Sequence, residues 1–193
     1  MSELVNEYAD IFDLPDIKDR DAKSEQCSIN VLPDTKPKWV KGRRTPYSEK
    51  EIIEGFITEY LNRDYIERSS SAWSAPVILI YRKGKPRLCI DFRLLNGCMV
   101  PEPFTGSFVW DILEKMGRSK YISITDLTKA YHQWAVHPDS RHFLAFSCSL
   151  GHFQFKVVPF GIMIAPAFFA RQMSIALQGL TDTMNYFDDV CLG

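Results

Sequence analysis

Two short apolar runs that end in carboxylates constrain this chain most. Tyr121-Ile-Ser-Ile-Thr-Asp126 closes on one acid, and Tyr186-Phe-Asp-Asp189 sets two side by side. Taken alone, an Asp-Asp dipeptide marks a turn between strands. Three acids delivered by strand ends ask for more, because adjacent carboxylates repel and raise one another's pKa unless a cation compensates. Magnesium accepts one or two protein carboxylates and leaves its other positions to water and phosphate oxygens. Paired ions of this kind serve phosphoryl transfer, one at the attacking oxygen and one at the leaving oxygen. A fold that uses the acids so must bring residue 126 beside residues 188 and 189.

The remaining composition is that of a globular protein, with 46% hydrophobic and 24% charged residues in 193 positions. That length suits one domain with a leading arm. The longest uncharged stretch, residues 157–170, is too short for a membrane span and is interrupted by Pro159, Gly161 and Pro166. The first residues have neither the basic flank nor the apolar centre of a secretory signal. Five cysteines, odd in number and without a Cys-x-x-Cys pair, argue against a disulfide framework and a zinc site. The expected setting is intracellular: cytoplasmic by default, with the nucleus as the alternative.

Net charge is −1, so bulk electrostatics do not announce a nucleic-acid binder. Local charge says more. Lys36, Lys38, Lys41, Arg43, Arg44 and Lys50 face only Glu49 within residues 36–50, and Arg82, Lys83, Lys85, Arg87 and Arg93 face only Asp91. Such runs are ordinarily solvated surface. Beside a metal site they would also suit a polyanion.

Residues 1–45, with Pro15, Pro33 and Pro37 amid charge, read as an extended N-terminal arm carrying one helical turn over residues 5–12. Ordered structure is expected from Ser48. There Ser48 and Glu51 have the spacing of a capping box, and Ile52, Ile53, Phe56, Ile57, Tyr60 and Leu61 define one helical face. Residues 77–81 and 87–92 read as strands joined by a five-residue turn, Arg82 to Pro86, so the second basic cluster would cap a hairpin. A short helix is expected over residues 108–116, then the strand ending at Asp126. Further strands follow over residues 132–137, 143–148 and 153–157, with a turn at Pro138, Asp139 and Ser140. Pro166 opens a helix that Gly179 stops, and residues 183–187 form the strand before the acid pair. This order favours an α+β fold, a mixed and largely antiparallel sheet with helices packed on one face.

Five blocks in this order resemble the reverse transcriptase of gypsy-type LTR retrotransposons, and the resemblance runs over residues 33–193. Ser70-Ser-Ala-Trp-Ser-Ala-Pro-Val77 is similar to the family's serine-rich entry to the fingers. Arg87-Leu-Cys-Ile-Asp-Phe-Arg-Leu-Leu-Asn96 is similar to its Arg-x-x-x-Asp-[Tyr/Phe]-Arg-x-Leu-Asn block. Asp126-Leu-Thr-Lys-Ala-Tyr-His-Gln133 resembles the first catalytic block, and Val158-Pro-Phe-Gly-Ile-Met-Ile-Ala-Pro-Ala167 the template-side block. Tyr186-Phe-Asp-Asp189 resembles the Tyr-x-Asp-Asp signature.

The resemblance implies the fingers and partial palm of a right-hand polymerase over residues 46–193. It implies RNA-directed DNA synthesis on an RNA or DNA template with a primer, from deoxynucleoside triphosphates. Asp126, Asp188 and Asp189 would be the catalytic acids and the ligands of two magnesium ions, with manganese as a substitute. Arg87 would meet the triphosphate, as a bidentate and permanently charged guanidinium can. Lys83 would assist, with Arg82 as the alternative. Tyr131 would close the space below the sugar against a ribose 2′-hydroxyl, and Phe160 and Gly161 would line the nucleotide and template side. In the family a thumb and an RNase H domain lie beyond the position of Gly193. A chain without them is expected to polymerise weakly or not at all. The other reading is a non-catalytic retroelement remnant, or nucleic-acid-binding module, that keeps the fold.

Overall fold

A helix, α1 (Tyr47–Asn62), follows from the apolar spacing and buries Ile53 and Ile57. It begins one residue before Ser48. Pro46 occupies the cap position at φ −55° and ψ 150°, and its carbonyl accepts the Glu49 and Lys50 N–H groups at 3.1 and 3.2 Å. No side chain caps this end, so the capping box expected from Ser48 and Glu51 does not form. Proline sets its own φ and disfavours helix in the residue before it, and that puts the boundary at Pro46. The computed structural model describes Glu7 and residues 25–40, 42, 45–104, 106 and 108–193. Apart from Glu7, the helical turn expected over residues 5–12 lies outside the described residues, as do Lys41, Arg43 and Arg44.

Five strands form the larger sheet: β1 (Ile66–Arg68), β2 (Ala75–Arg82), β3 (Lys85–Ile90), β5 (Ala145–Cys148) and β6 (Gly151–Phe155), in the order β1-β6-β5-β2-β3. Every pairing is antiparallel except β2 with β5. The β2–β3 hairpin turns on two residues, Lys83 at φ 51° and Gly84 at φ 74°. Positive φ at both positions is what a type I′ turn needs. The turn is shorter than the five residues expected because Lys85 and Pro86 pair with Arg82 and Tyr81. Proline is tolerated there because β3 is an edge strand.

The strand expected over residues 132–137 is absent. A 3-10 turn, Ala130–Gln133, stands there, followed by single bridges from Ala135 to Val157 and from Val136 to Cys27. The expected turn at Pro138 is a one-turn helix, α4 (Pro138–Arg141). Pro138 opens it, and the His137 ring accepts the Asp139 N–H at 3.3 Å. Two more one-turn or short helices, α2 (Arg93–Asn96) and α3 (Val109–Met116), follow β3.

The smaller sheet has the order β4-β8-β7, from β4 (Ser123–Asp126), β7 (Thr183–Tyr186) and β8 (Asp189–Leu192). Its successive residues Val190 and Cys191 point to opposite sides, as strand geometry requires. Val190 packs with Phe169 and Met173 of α5 (Ala165–Ala176), and Cys191 with Ile112 and Met116 of α3. The α+β class and the largely antiparallel pairing are therefore as expected, divided over two sheets.

Ordered structure starts well before Ser48. Cys27 and Ile29 are core residues, and Val31 and Trp39 bridge to Met99 and Ser74. Glu25 holds Arg171 at 2.5 Å and Gln172 at 2.7 Å on α5. This segment is extended, as its prolines suggest, but it works as a strap that runs from α5 past residues 135–137 and 98–100 to Ser74, at the entry to β2. Apolar residues hidden among charges gave too little periodicity to reveal it. Among the described residues no helix is long and apolar enough to cross a membrane.

Candidate active site

Asp126 ends β4 and Asp189 begins β8, and the two are direct partners in the antiparallel register. Partners in such a pair project to one face with Cβ atoms about 4.5–5.5 Å apart. Tyr186 pairs with Asp189 across the β7–β8 hairpin, which leaves Phe187 and Asp188 as the turn. The Leu127 N–H donates to the Asp188 carbonyl at 2.8 Å and fixes that turn to the residue after Asp126. Phe187 has φ 51°, a conformation that costs a bulky residue about 1–3 kcal/mol and persists only when its surroundings enforce it. Here the two flanking pairings and the Leu127 bond do so.

Asp126 is exposed, and Asp188 and Asp189 are half-buried. Among the described residues, no three His, Cys, Asp or Glu side chains are gathered as a ready cage for a metal ion. Two aligned carboxylates with a third on the adjoining turn still match what magnesium takes from a protein, with water and phosphate supplying the other oxygens. The donor set is all carboxylate oxygen, which is the chemistry of a hard divalent cation.

Tyr131 lies in the 3-10 turn after Lys129, itself at φ 51°. Its ring meets Phe160 edge-on at 5.0 Å and Phe169 at 5.3 Å. Burial pushes its phenol pKa up, and the negative charge of nearby Asp188 adds to the shift. The structure thus brings Tyr131, Phe160 and Asp188 into one neighbourhood. Lys129 donates to Glu59 on α1 at 3.0 Å, and this bond, more than any other cause, holds the Glu59 carboxyl below its usual range.

Gly161 follows at φ 92°, where a Cβ would lie 3.7 Å from the Ile90 carbonyl. With Phe160 it lines a cleft of about 130 Å³ whose other walls include Leu88, Cys89 and Ile90 of β3, Tyr60 and His132. Arg87 precedes those wall residues on β3, is exposed, and pairs with Ile80. Lys83 is in the turn at the hairpin tip, farther from the cleft along the same hairpin. The acids with Tyr131 form one group, the cleft with Phe160 and Gly161 adjoins it, and Arg87 and Lys83 extend from it along the hairpin.

One residue of this region had no individual role in the sequence reading. Asn96, at the end of α2, donates from Nδ2 to the Gly161 carbonyl, and its Oδ1 accepts the Met163 N–H, both at 2.9 Å. The signal was its place at the end of the Arg87–Asn96 block.

The profile of the reverse transcriptase (RNA-dependent DNA polymerase) family matches residues 77–193. The chain is 32% identical to the retrovirus-related Pol polyprotein from transposon 412 of Drosophila melanogaster, over 98% of this chain and 16% of that protein. It is also 32% identical to the Pol polyprotein from transposon 297 of the same organism, over 72% of this chain and 14% of that protein. It therefore spans about a sixth or less of the length of these curated relatives. Both transposons are gypsy-type LTR retrotransposons, the group whose motifs the sequence resembles. Among solved structures, the foamy viral protease-reverse transcriptase in complex with RNA/DNA hybrid superposes with a TM-score of 0.77. The sequence identity is 20%, over 85% of this chain and 22% of that one. That likeness gives the fold.

Proposed function

The chain belongs to the reverse transcriptase (RNA-dependent DNA polymerase) family, and we propose that it is the fingers and partial palm of a retroelement polymerase, which adds deoxynucleotides to a primer on an RNA or DNA template. Residues 46–193 would make up that unit, with residues 1–45 leading into it. The observation that carries the reading is the pairing of Asp126 with Asp189 beside the strained turn that presents Asp188.

Asp126 and Asp188 would be the principal ligands for divalent cations, with Asp189 completing the acidic cluster. Two such ions, magnesium or manganese, would supply the charge that activates a primer 3′-oxygen toward the α-phosphorus and stabilises the leaving pyrophosphate. The residues of the chain do the positioning. Arg87 holds triphosphate oxygens through a guanidinium that can grip two of them at once, and Lys83 adds a second positive charge at the hairpin tip. Tyr131, braced by Phe160 and Phe169, fills the space a ribose 2′-hydroxyl would need, so it selects by bulk. Gly161 lets the backbone approach the nucleotide where a side chain would intrude. Most of the rate would come from this alignment and from charge already in place.

A primer-extension assay with the chain in excess over a labelled primer–template and with magnesium present tests the proposal. Weak incorporation that follows the template base, and that Asp188→Asn abolishes, is the expected result. Incorporation that ignores the template or survives Asp188→Asn would refute it.

A further inference from the structure

Asn96 lies outside the acids and outside the cleft lining, yet it makes two side-chain bonds to the segment that carries Phe160 and Gly161. Its carboxamide acts as a short length of β-ladder: Nδ2–H donates to the Gly161 carbonyl and Oδ1 accepts the Met163 N–H, each at 2.9 Å. The two bonds straddle Ile162, which is buried, as is Ile164. Phe160, by contrast, is half exposed and meets Tyr131 at 5.0 Å and His132 at 5.2 Å. Gly161 has positive φ, which leaves its backbone without the steric restraint a side chain would supply. Core packing thus fixes residues 162 and 164, and it leaves residues 160 and 161 to be held by the hydrogen bond from Asn96. Asn96 itself is set by α2, where its N–H donates to the Phe92 carbonyl at 2.8 Å, and Phe92 is a core residue. The bridge therefore joins the end of the strand that bears Arg87 to the loop that bears Phe160.

We propose that Asn96 is a positioning residue for nucleotide selection, which holds Phe160 and Gly161 so that Tyr131 is braced against the sugar. The assignment rests on the polymerase reading and deepens it. Asn96 touches neither substrate nor metal, and its effect runs through the 160–163 loop to Tyr131. Losing it should weaken nucleotide binding and sugar discrimination while sparing the acids and the overall fold. Asn96→Asp is the informative variant because it is isosteric and can still accept from Met163. It places a lone pair against the Gly161 carbonyl, so it should behave like Asn96→Ala or worse.

The test is the binding of the next complementary deoxynucleoside triphosphate, and of its ribonucleotide counterpart, to the chain on a dideoxy-terminated primer–template, where no bond can form. Hydrogen exchange at the Met163 amide is followed in parallel. Loss of the bond to the Gly161 carbonyl, which both variants share, should weaken deoxynucleotide binding roughly tenfold in Asn96→Ala and Asn96→Asp. The preference over the ribonucleotide should narrow and exchange at Met163 should quicken in Asn96→Ala, with primer–template binding unchanged. Faster exchange with unaltered nucleotide affinity and preference would make Asn96 a purely structural clamp and overturn the proposal. Unchanged exchange would overturn the geometry. If the unsubstituted chain bound no nucleotide, while still holding primer–template, the polymerase reading itself would fail and this assignment with it.

Discussion

Asp126 and Asp189 stand opposite each other across β4 and β8, and the backbone bond from Leu127 to Asp188 ties the third acid to the same pair of strand ends. Two carboxylates on one face at cross-strand distance destabilise each other when no cation is present. In the proposed polymerase site that cost would be offset by the metal ions the charge attracts.

Relief of this repulsion is the first expected outcome. In chelator-treated protein, Asp189→Asn and Asp188→Asn should leave stability unchanged or raise it by a few tenths of a kcal/mol, in line with partly exposed like charges on paired positions. Urea denaturation measures it. The same variants should lose nucleotide incorporation by about 10²-fold or more. A variant that lost activity only because it unfolded would show the opposite stability sign.

Tyr131 should govern sugar choice. Tyr131→Ala removes the ring that Phe160 and Phe169 brace, and the preference for deoxynucleotides over ribonucleotides should fall by about 10–200-fold, the range one missing packing element gives. Tyr131→Phe keeps the ring and should keep the preference. Competition between the two nucleotide types in a single extension reaction reads both variants.

Gly161→Ala should destabilise the chain by about 1–2 kcal/mol, because φ 92° is hostile to a side chain. The added methyl meets the Ile90 carbonyl only at ordinary contact distance, 3.7 Å, so the cost comes from the backbone. Gly84→Ala, at φ 74° with open space around it, should cost a similar amount. Denaturant midpoints compare the two directly.

Alkaline pH should unfold the chain from inside. Burial pushes the Cys27 thiol and the Tyr60 phenol each up to about 12, above their ordinary values near 9 and 10. The folded state therefore holds these protons longer than the unfolded state does. Their contribution is fully present below pH 9 and is lost as pH rises through about 12, an effect of order a few kcal/mol in total. Melting temperature should fall across that interval. Tyr60→Phe should flatten the part of the decline above pH 10, and Cys27 should resist alkylation until the chain unfolds.

The positions of α1, α3, α5 and the terminal hairpin were legible because each has an apolar period or a punctuating Gly or Pro that acts locally. The meeting of Asp126 with the Asp pair was legible through the resemblance of their blocks to a known family, because a strand end does not by itself fix its neighbour. The 3-10 turn that carries Tyr131 was not legible. His132 to His137 alternates well enough for a strand, and the competing cause, Lys129 at positive φ bonded to Glu59 on a distant helix, is tertiary. The capping box at Ser48 failed for a local reason, because the helix starts one residue earlier with the Pro46 carbonyl accepting the Glu49 and Lys50 N–H groups. The strap at residues 25–40 and the Asn96 bridge depend on partners thirty-five or more residues away, and no short window of sequence contains both ends.

Manganese binding followed by electron paramagnetic resonance tests the acid cluster most directly. The chain is held on a dideoxy-terminated primer–template with the next nucleotide present, as the unsubstituted protein, Asp126→Asn or Asp188→Asn. If these carboxylates hold the catalytic ions, each variant should bind manganese at least about tenfold more weakly, since losing a ligand costs no less than losing an outer-shell partner. Equal manganese affinity in all three proteins would contradict the assignment of the site.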